Sequence, residues 1–447
     1  MHLEIKKRKI LFSILFGICV LYSLLRIFIT QYVSAYSKYV FLFIVIIGIF
    51  ISITSKKHLS EVGSSEWFLL IVSYLYILTN ALAFGGKELF SLSITAYVLY
   101  TFPIIVFPYL AKKVQWNKLV MFLSYFGLID AVLAIFEYIT GKQIFSMSDF
   151  EAIEMVTKAG ALIRRTYGLQ GSFFILAQVL CFCGFAAFYL FRFQHSKIHL
   201  ASFVVITIGI LTTGSRGFYV SYAFGLIIMY LCEPVFDKSR KKISLSKLAF
   251  GFVVILFVII LIFIVFHSDI KTGNDNIDII LNRIRMVIDW QNDSANLKRV
   301  RIWEWAINYW KESPIFGNGA CCTDLRYSGY INVTESGFLK RLVELGIIGT
   351  IVQYVTMVIP LKKGIKKLRR KKVNANPRIL IFIATVAGYL LEDMVLERYT
   401  SPEYTIVLWF SISYIAYYDL IDKNNYVSGK PLIQVNTTNT TGVSNEG

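Results

Sequence analysis

Long apolar runs follow one another along this chain with little between them. Candidate segments, with soft ends, are 10–30, 39–54, 67–84, 89–110, 119–139, 172–191, 198–213, 217–232, 248–267, 336–360, 379–396 and 404–420. A helix that crosses the hydrocarbon core of a bilayer needs about 20 predominantly apolar residues. No water in that core satisfies a backbone amide, so a chain built this way spans as helices. The composition agrees: 56% of the residues are hydrophobic and only 17% are charged, against about 25% charged in soluble chains. The expected fold class is therefore all-α, a polytopic transmembrane helical bundle of about twelve spans.

The basic residues give this bundle a direction. With the N-terminus in the cytoplasm, the cytoplasmic connections are "SKKHLSEVGSSE", "AKKVQWNK", "FRFQHSKIH", "EPVFDKSRKKISLSK" and "LKKGIKKLRRKKVNANPR", and each is basic. The short outer connections "QYVSAYSK", "GGKE" and "ERYTSPE" carry one basic residue each. Lys and Arg concentrate on the cytoplasmic side of membrane proteins, so both termini are expected inside. The formal net charge of +18 is then mostly a topology signal, with attraction to anionic membrane lipids as a by-product and no nucleic-acid partner. The basic start "MHLEIKKRK" runs into an apolar segment without a small-residue cleavage site, so no cleavable signal is expected. Residues 1–420 read as one integral membrane domain, and 421–447 as a polar cytoplasmic tail whose composition predicts disorder. Six cysteines and five histidines show no ligand spacing, so no metal site and no cofactor are expected.

Two outer connections are long, about 140–171 and about 268–335, and both carry cations. Long loops translocate largely regardless of charge, which is one account of them. The other is an anionic ligand. Arg216 stands in "LTTGSRGFYV" as the one Lys or Arg between Ile198 and Cys232, other than His199 no basic side chain sharing that run. The flanking segments are short, so the turn lies near the outer interface. There Arg216 is either a snorkelling turn residue or a cation facing a wet cavity. Arg164 and Arg165 stand in "LIRRTYGLQGSFFILAQ" just before a span. They are either a solvated pair or a second cation site.

In "NLKRVRIWEWAINYWKESPIFGNG", Val300, Trp303, Ile307 and Trp310 recur at helical spacing. Arg299 shares a face with Trp303, whereas Arg301 lies roughly 200° round the helix from Arg299. Arg299 is therefore the cation preferred for a ligand. Pro314 ends that helix and "FGNG" turns the chain. In "NVTESGFLKRLVELGIIGTIVQYV", Ser336 or Thr334 is placed to cap the next helix. Glu335 and Ser336 stand at its mouth. Glu344 lies nine residues beyond Glu335, where a carboxylate should face a cavity or pair with a cation. Trp303, with Tyr327 between the two stretches, is either one of this chain's many packing aromatics or a flat platform for a ligand.

Taken in order, "RRTYGLQGSFF", "TTGSRGFY", "RVRIWEWAINYWKESPIFGNG" and "FLKRLVELGIIG" resemble the pattern of the O-antigen ligase and Wzy polysaccharide polymerase superfamily. The resemblance covers roughly 160–360. It implies a GT-C-like, inverting, metal-independent glycosyltransferase at the outer face of the bacterial cytoplasmic membrane. It implies an undecaprenyl-pyrophosphate-linked oligosaccharide as donor and a second such unit as acceptor, with a flippase and a chain-length regulator as candidate partners. By this resemblance Arg165, Arg216 and Arg299 fall on positions that engage the pyrophosphate or the sugar chain. Glu335 is the candidate base, with Arg216 and Arg299 as its catalytic companions. Arg164, Arg165, Arg301, Trp303, Ser336 and Glu344 are candidate substrate-binding residues. Many ligases of the superfamily carry His-Asn where this chain has Glu335 and Ser336, a departure that favours a repeat-unit polymerase. A glycan ligase and a lipid-linked sugar flippase are the alternatives, the latter kept open by Arg26, Glu137 and Glu392 within apolar segments.

Overall fold

A computed structural model describes residues 22, 24–34, 36–54, 64–110, 114–145, 154–156, 162–233, 278–279, 294–324, 335–370, 376–398 and 401–421. In chain order the helices are α1 (Ser37–Thr54), α2 (Ser64–Ser93), α3 (Pro103–Leu110), α4 (Trp116–Thr140), α5 (Phe173–Gln194), α6 (Lys197–Thr212), α7 (Arg216–Cys232), α8 (Ser294–Trp310), α9 (Gly337–Arg370), α10 (Ile379–Asp393) and α11 (Pro402–Ala416). Single π turns occupy Ile29–Val33 and Ile94–Val98. The expected segment 248–267, most of 10–30 and the tail from 422 lie outside the described residues.

Four helical stretches are long and apolar enough to cross a membrane: Ser65–Pro108, Trp116–Thr140, Phe173–Gln194 and Gly337–Lys367. Shorter apolar helices are Leu24–Val33, Tyr39–Phe50, Lys197–Thr212 and Arg216–Cys232. The expected spans 67–84 and 89–110 merge into one helical stretch that bends at Gly86, where φ is +62°. The long connection at 140–171 is not wholly irregular. Its strands β1 (Glu154–Val156) and β2 (Leu162–Arg164) pair antiparallel with Glu154 opposite Arg164.

The apolar faces show how the bundle meets lipid. On α4, Phe122, Tyr125, Ile129, Val132, Phe136 and Ile139 are exposed at alternating spacings of three and four. That is one continuous helical stripe. A stripe this apolar and this long is stable against hydrocarbon and unsuited to water. The opposite face of α4 carries Leu123, Phe126, Ala131 and Ala134 into the core. By contrast α5 is buried on nearly every side and packs against α4, α6 and α10. It is the central helix. Close approach depends on small residues, as is common between membrane helices: Gly209 of α6 lies directly on Ala131 of α4, and Gly225 of α7 on the Phe185 ring of α5.

The bundle has two polar ends of different character. One holds ion pairs of Arg192 with Glu233 at 2.9 Å, Lys363 with Glu66, and Lys367 with Asp419 at 2.8 Å. The other gathers the end of α4, the β1–β2 ribbon, the α6–α7 turn, the starts of α5 and α9, and the α10–α11 connection. The arginines singled out in the sequence lie at this second end.

Candidate functional site

The α6–α7 turn is built by Gly214, with φ +66°, and by Ser215, whose amide bonds Thr213 Oγ1 at 3.3 Å. Arg216 follows as the first residue of α7 and is half-buried. Thr212 Oγ1 lies 3.2 Å from Thr166 Oγ1, which joins this turn to the segment carrying Arg165. That segment is held from below by two carboxylates of α4. Glu137 accepts the amides of Tyr167 at 2.8 Å, Gly168 at 2.9 Å and Ile144 at 3.2 Å. Asp130 accepts the Leu169 amide at 2.8 Å and Gln170 Nε2 at 2.9 Å. Glu137 thus caps backbone rather than lining a conduction path. Glu137→Ala would leave three amides without their acceptor, at roughly 1–3 kcal/mol for each buried group so orphaned. Thermal unfolding in detergent should show a clear fall in midpoint, and an unchanged midpoint would contradict this role.

Arg165 lays its guanidinium over the Phe173 ring at 4.1 Å. Arg164, its neighbour on β2, turns the other way. It donates to the Tyr138 carbonyl at 2.7 Å and lies over the Tyr138 ring at 5.5 Å. Of the adjacent pair, Arg164 anchors the ribbon to the end of α4, and the two side chains do not act together.

Helix α8 packs along α9. Arg299 Nε stands 3.3 Å from Glu335 Oε2, and Trp303 Nε1 donates to the Glu335 carbonyl at 3.4 Å. The face expected to hold Arg299 and Trp303 therefore holds Glu335 between them. Glu335 adopts φ +49°, a left-handed conformation that costs a non-glycine residue roughly 1–3 kcal/mol. Ser336 Oγ accepts the Leu339 amide at 3.3 Å and caps α9. Arg301 is exposed on the far side of α8, as its angle to Arg299 requires. Tyr327 lies outside the described residues.

Glu344 is not a substrate-facing carboxylate in this structure. It is 0% exposed and pairs with Lys340 Nζ at 2.9 Å. It also accepts the Cys321 amide at 2.9 Å, the Thr323 amide at 3.4 Å, the Thr323 hydroxyl and the Tyr97 hydroxyl. Its oxygens are consumed by the loop after α8. The same loop is stitched to α9 by backbone bonds: Asn318 to Val343 at 2.8 Å, Gly319 to Glu344 at 3.1 Å, Ile347 to Pro314 at 3.0 Å and Ile348 to Ile315 at 3.2 Å. The stitching requires α9 to break at Gly346, where φ is +64°. A Cβ on Gly346 would strike Ile315 O and Gly317 N, and one on Gly317 would strike Glu344 O and Gly346 N. The "P-x-x-G-x-G" and "E-x-G-x-x-G" pieces are thus two halves of one clasp. Asn80 and Tyr76 of α2 close it from outside, each donating to the Phe316 carbonyl, at 2.7 and 3.1 Å. Cys321 and Cys322 are free and buried inside the clasp, and burial pushes both thiols well up from their ordinary range.

Lys340, Arg341, Asp393 and Glu397 at this end were not among the sequence candidates, and Glu392 was noted only as a charge within an apolar segment. Lys340 pairs also with Glu397 at 2.7 Å, and Arg341 pairs with Asp393 while donating to Gln353 Oε1 at 3.0 Å. Together these bonds pin the end of α10 to the start of α9. Glu392 accepts the Ser221 hydroxyl at 3.0 Å and lies against Gly217, the residue after Arg216. The guanidiniums of Arg398 and Arg299 both act on its charge. The signal was present in "EDMVLERY", four charges at the end of an apolar helix. Arg26, the other intramembrane cation noted in the sequence, pairs with Glu403. Among the described residues no group of three or more His, Cys, Asp or Glu side chains is placed to hold a metal ion.

Lipid-facing helices around a charged, arginine-bearing end define a helical integral membrane protein with a polar site at one end of its bundle. Residues 201–354 match the family model described as O-Antigen ligase. This agrees with the superfamily resemblance and encloses three of its four motifs, with "RRTYGLQGSFF" lying before the matched region. No curated protein matches the chain.

Proposed function

We propose that this protein is a polymerase that joins undecaprenyl-pyrophosphate-linked oligosaccharide repeat units into a surface polysaccharide. In this reading the chain forms one integral domain of about twelve GT-C-like spans in a bacterial cytoplasmic membrane, with both termini inside and the Arg299 end outside. The observation that carries it is the Arg299–Glu335 pair beside Glu392 and the Arg216 turn, within the region matched to the family. A hydroxyl of the acceptor sugar attacks the anomeric carbon of the donor from the side opposite the diphosphate. The bond from that carbon to the diphosphate oxygen breaks, and the electron pair leaves with the lipid diphosphate. Glu335 takes the hydroxyl proton, a contribution of about 10²–10⁴ for positioned general bases. Arg299 and Arg216 stabilise the charge that develops on the leaving oxygen. A flippase would deliver the repeat units, and a chain-length regulator would set the size of the product.

The description of the matched family favours a second reading, transfer of a finished chain to a different acceptor. One experiment separates the two. Purified protein in nanodiscs is supplied with lipid-linked repeat units alone. A polymerase gives a ladder of lengthening glycans, whereas a ligase gives a product only when its separate acceptor is added. Absence of any new glycosidic bond under both conditions would remove both readings.

A further inference from the structure

Four buried or half-buried arginines of this bundle have acidic partners: Arg26 has Glu403, Arg192 has Glu233, Arg299 has Glu335 and Arg341 has Asp393. Arg398, in the short α10–α11 connection, differs from these four. Among the described residues no carboxylate oxygen lies within ion-pair distance of its guanidinium. Its Nε is buried without a hydrogen-bond partner. Burial depresses its basicity, while the charges of Glu403, Glu392, Glu397 and Glu335 act in the opposite direction from further off. A half-buried guanidinium whose Nε is shut away without a hydrogen-bonded anion is costly, and it gains from an anionic ligand.

The side chain is nonetheless held in place. Its guanidinium lies over the Phe174 ring at 4.4 Å. Phe174 packs on Phe173 with centroids 3.9 Å apart, and Phe173 carries Arg165 at 4.1 Å. Each of the two guanidiniums thus lies over one ring of a contacting pair. Guanidinium–ring contacts fix the plane of the cation while leaving its N–H edge for a ligand. The position is also tied to the remainder of the site, because Glu335 and Glu392, which act on Arg398, are the carboxylates beside Arg299.

We propose that Arg398 is a further diphosphate-contacting residue, preoriented by Phe174 and working with Arg165 across the ring pair to grip the lipid diphosphate. This rests on the glycosyl-transfer reading above and extends it to a connection that the family match does not reach. The ligand class is a polyprenyl diphosphate. Its two phosphoryl groups present several acceptor oxygens to two planar forks, which a monophosphate presents less well.

The test is binding of undecaprenyl diphosphate to the full-length protein in nanodiscs, with elongation kinetics in parallel. Arg398→Ala should weaken binding roughly 10- to 100-fold, as for loss of charge-assisted hydrogen bonds. Arg398→Lys should recover only part of it, because a point charge does not reproduce the fork. Phe174→Leu, which keeps the cation and removes its platform, should fall between. Lys311→Ala, an exposed charge on the last turn after α8, is the control for net charge. If Arg398→Ala is poorly folded, the lysine and Phe174 variants carry the test. Wild-type affinity in these variants would overturn the proposal while leaving the polymerase reading intact. A wild-type protein that binds the diphosphate through Arg398 yet forms no glycosidic bond would remove that reading and leave this inference standing. A wild-type protein with no affinity for undecaprenyl diphosphate would overturn both.

Discussion

Arg299→Ala should reduce glycan elongation by about 10²-fold or more, equivalent to roughly 3 kcal/mol of lost transition-state stabilisation, while the protein stays folded. The two halves of this expectation have separate grounds. Arg299 and Glu335 are 31% and 30% exposed and 3.3 Å apart, and ion pairs in that setting contribute about 0–1 kcal/mol to stability. The pair therefore does little to hold α8 against α9. Its value lies in what it does when the leaving group departs. Glu335→Gln should be slower still on the reading that Glu335 takes the proton, with a loss of about 10²–10⁴. The double variant should then fall short of the summed single effects, because a cation and a base acting in one step are coupled. The measurement is the initial rate of ladder formation at equal amounts of folded protein. A rate for Arg299→Ala within twofold of wild type would mean that this pair is a surface contact and that the chemistry lies elsewhere.

Much of the fold was legible because membrane burial leaves a local record. A helix that crosses a bilayer must be apolar along its length, so α4, α5 and α9 are visible as runs. That Arg299 and Trp303 share a face was legible too, since residues four apart lie on one side of a helix, but their common partner Glu335 was not. What the runs conceal is pairing across the sequence. Nothing local says that the glycines after Pro314 and the glycine after Glu344 answer each other, because a positive φ at Gly317 is demanded by backbone 29 residues away. The same blindness made Glu344 look like a substrate ligand: a carboxylate at that depth was expected to face a cavity or a cation, and it meets Lys340 together with a whole loop. Arg398 was passed over for a different reason. One basic residue in a short connection is ordinary, and the contacting rings of Phe173 and Phe174, carried on α5, set it apart.

The clasp supports the second large expectation. Glu344→Ala should cost the fold itself rather than a rate. Removing one partner of a buried ion pair leaves the other uncompensated, at about 3–5 kcal/mol, and here Lys340 would keep Glu397 alone. The amides of Cys321 and Thr323 would lose their acceptor as well, each a further penalty for a buried polar group. Against a total stability of about 5–15 kcal/mol for a typical domain, that sum leaves little. Gly346→Val should act in the same direction by a different route, since a branched residue resists a φ of +64° and its Cβ would strike Ile315 O. The thiols inside the clasp give a direct reading. Cys321 and Cys322 are buried in the wild type and should resist alkylation, and both variants should be labelled at these two positions under native conditions, as located by peptide mass spectrometry. If Glu344→Ala instead gives a monodisperse protein with protected thiols and lowered elongation, the carboxylate belongs to substrate and the clasp is held by its backbone bonds alone. The structure favours the first outcome, because the two oxygens of Glu344 are already taken, one by Lys340 and Thr323 and the other by Cys321 and Tyr97.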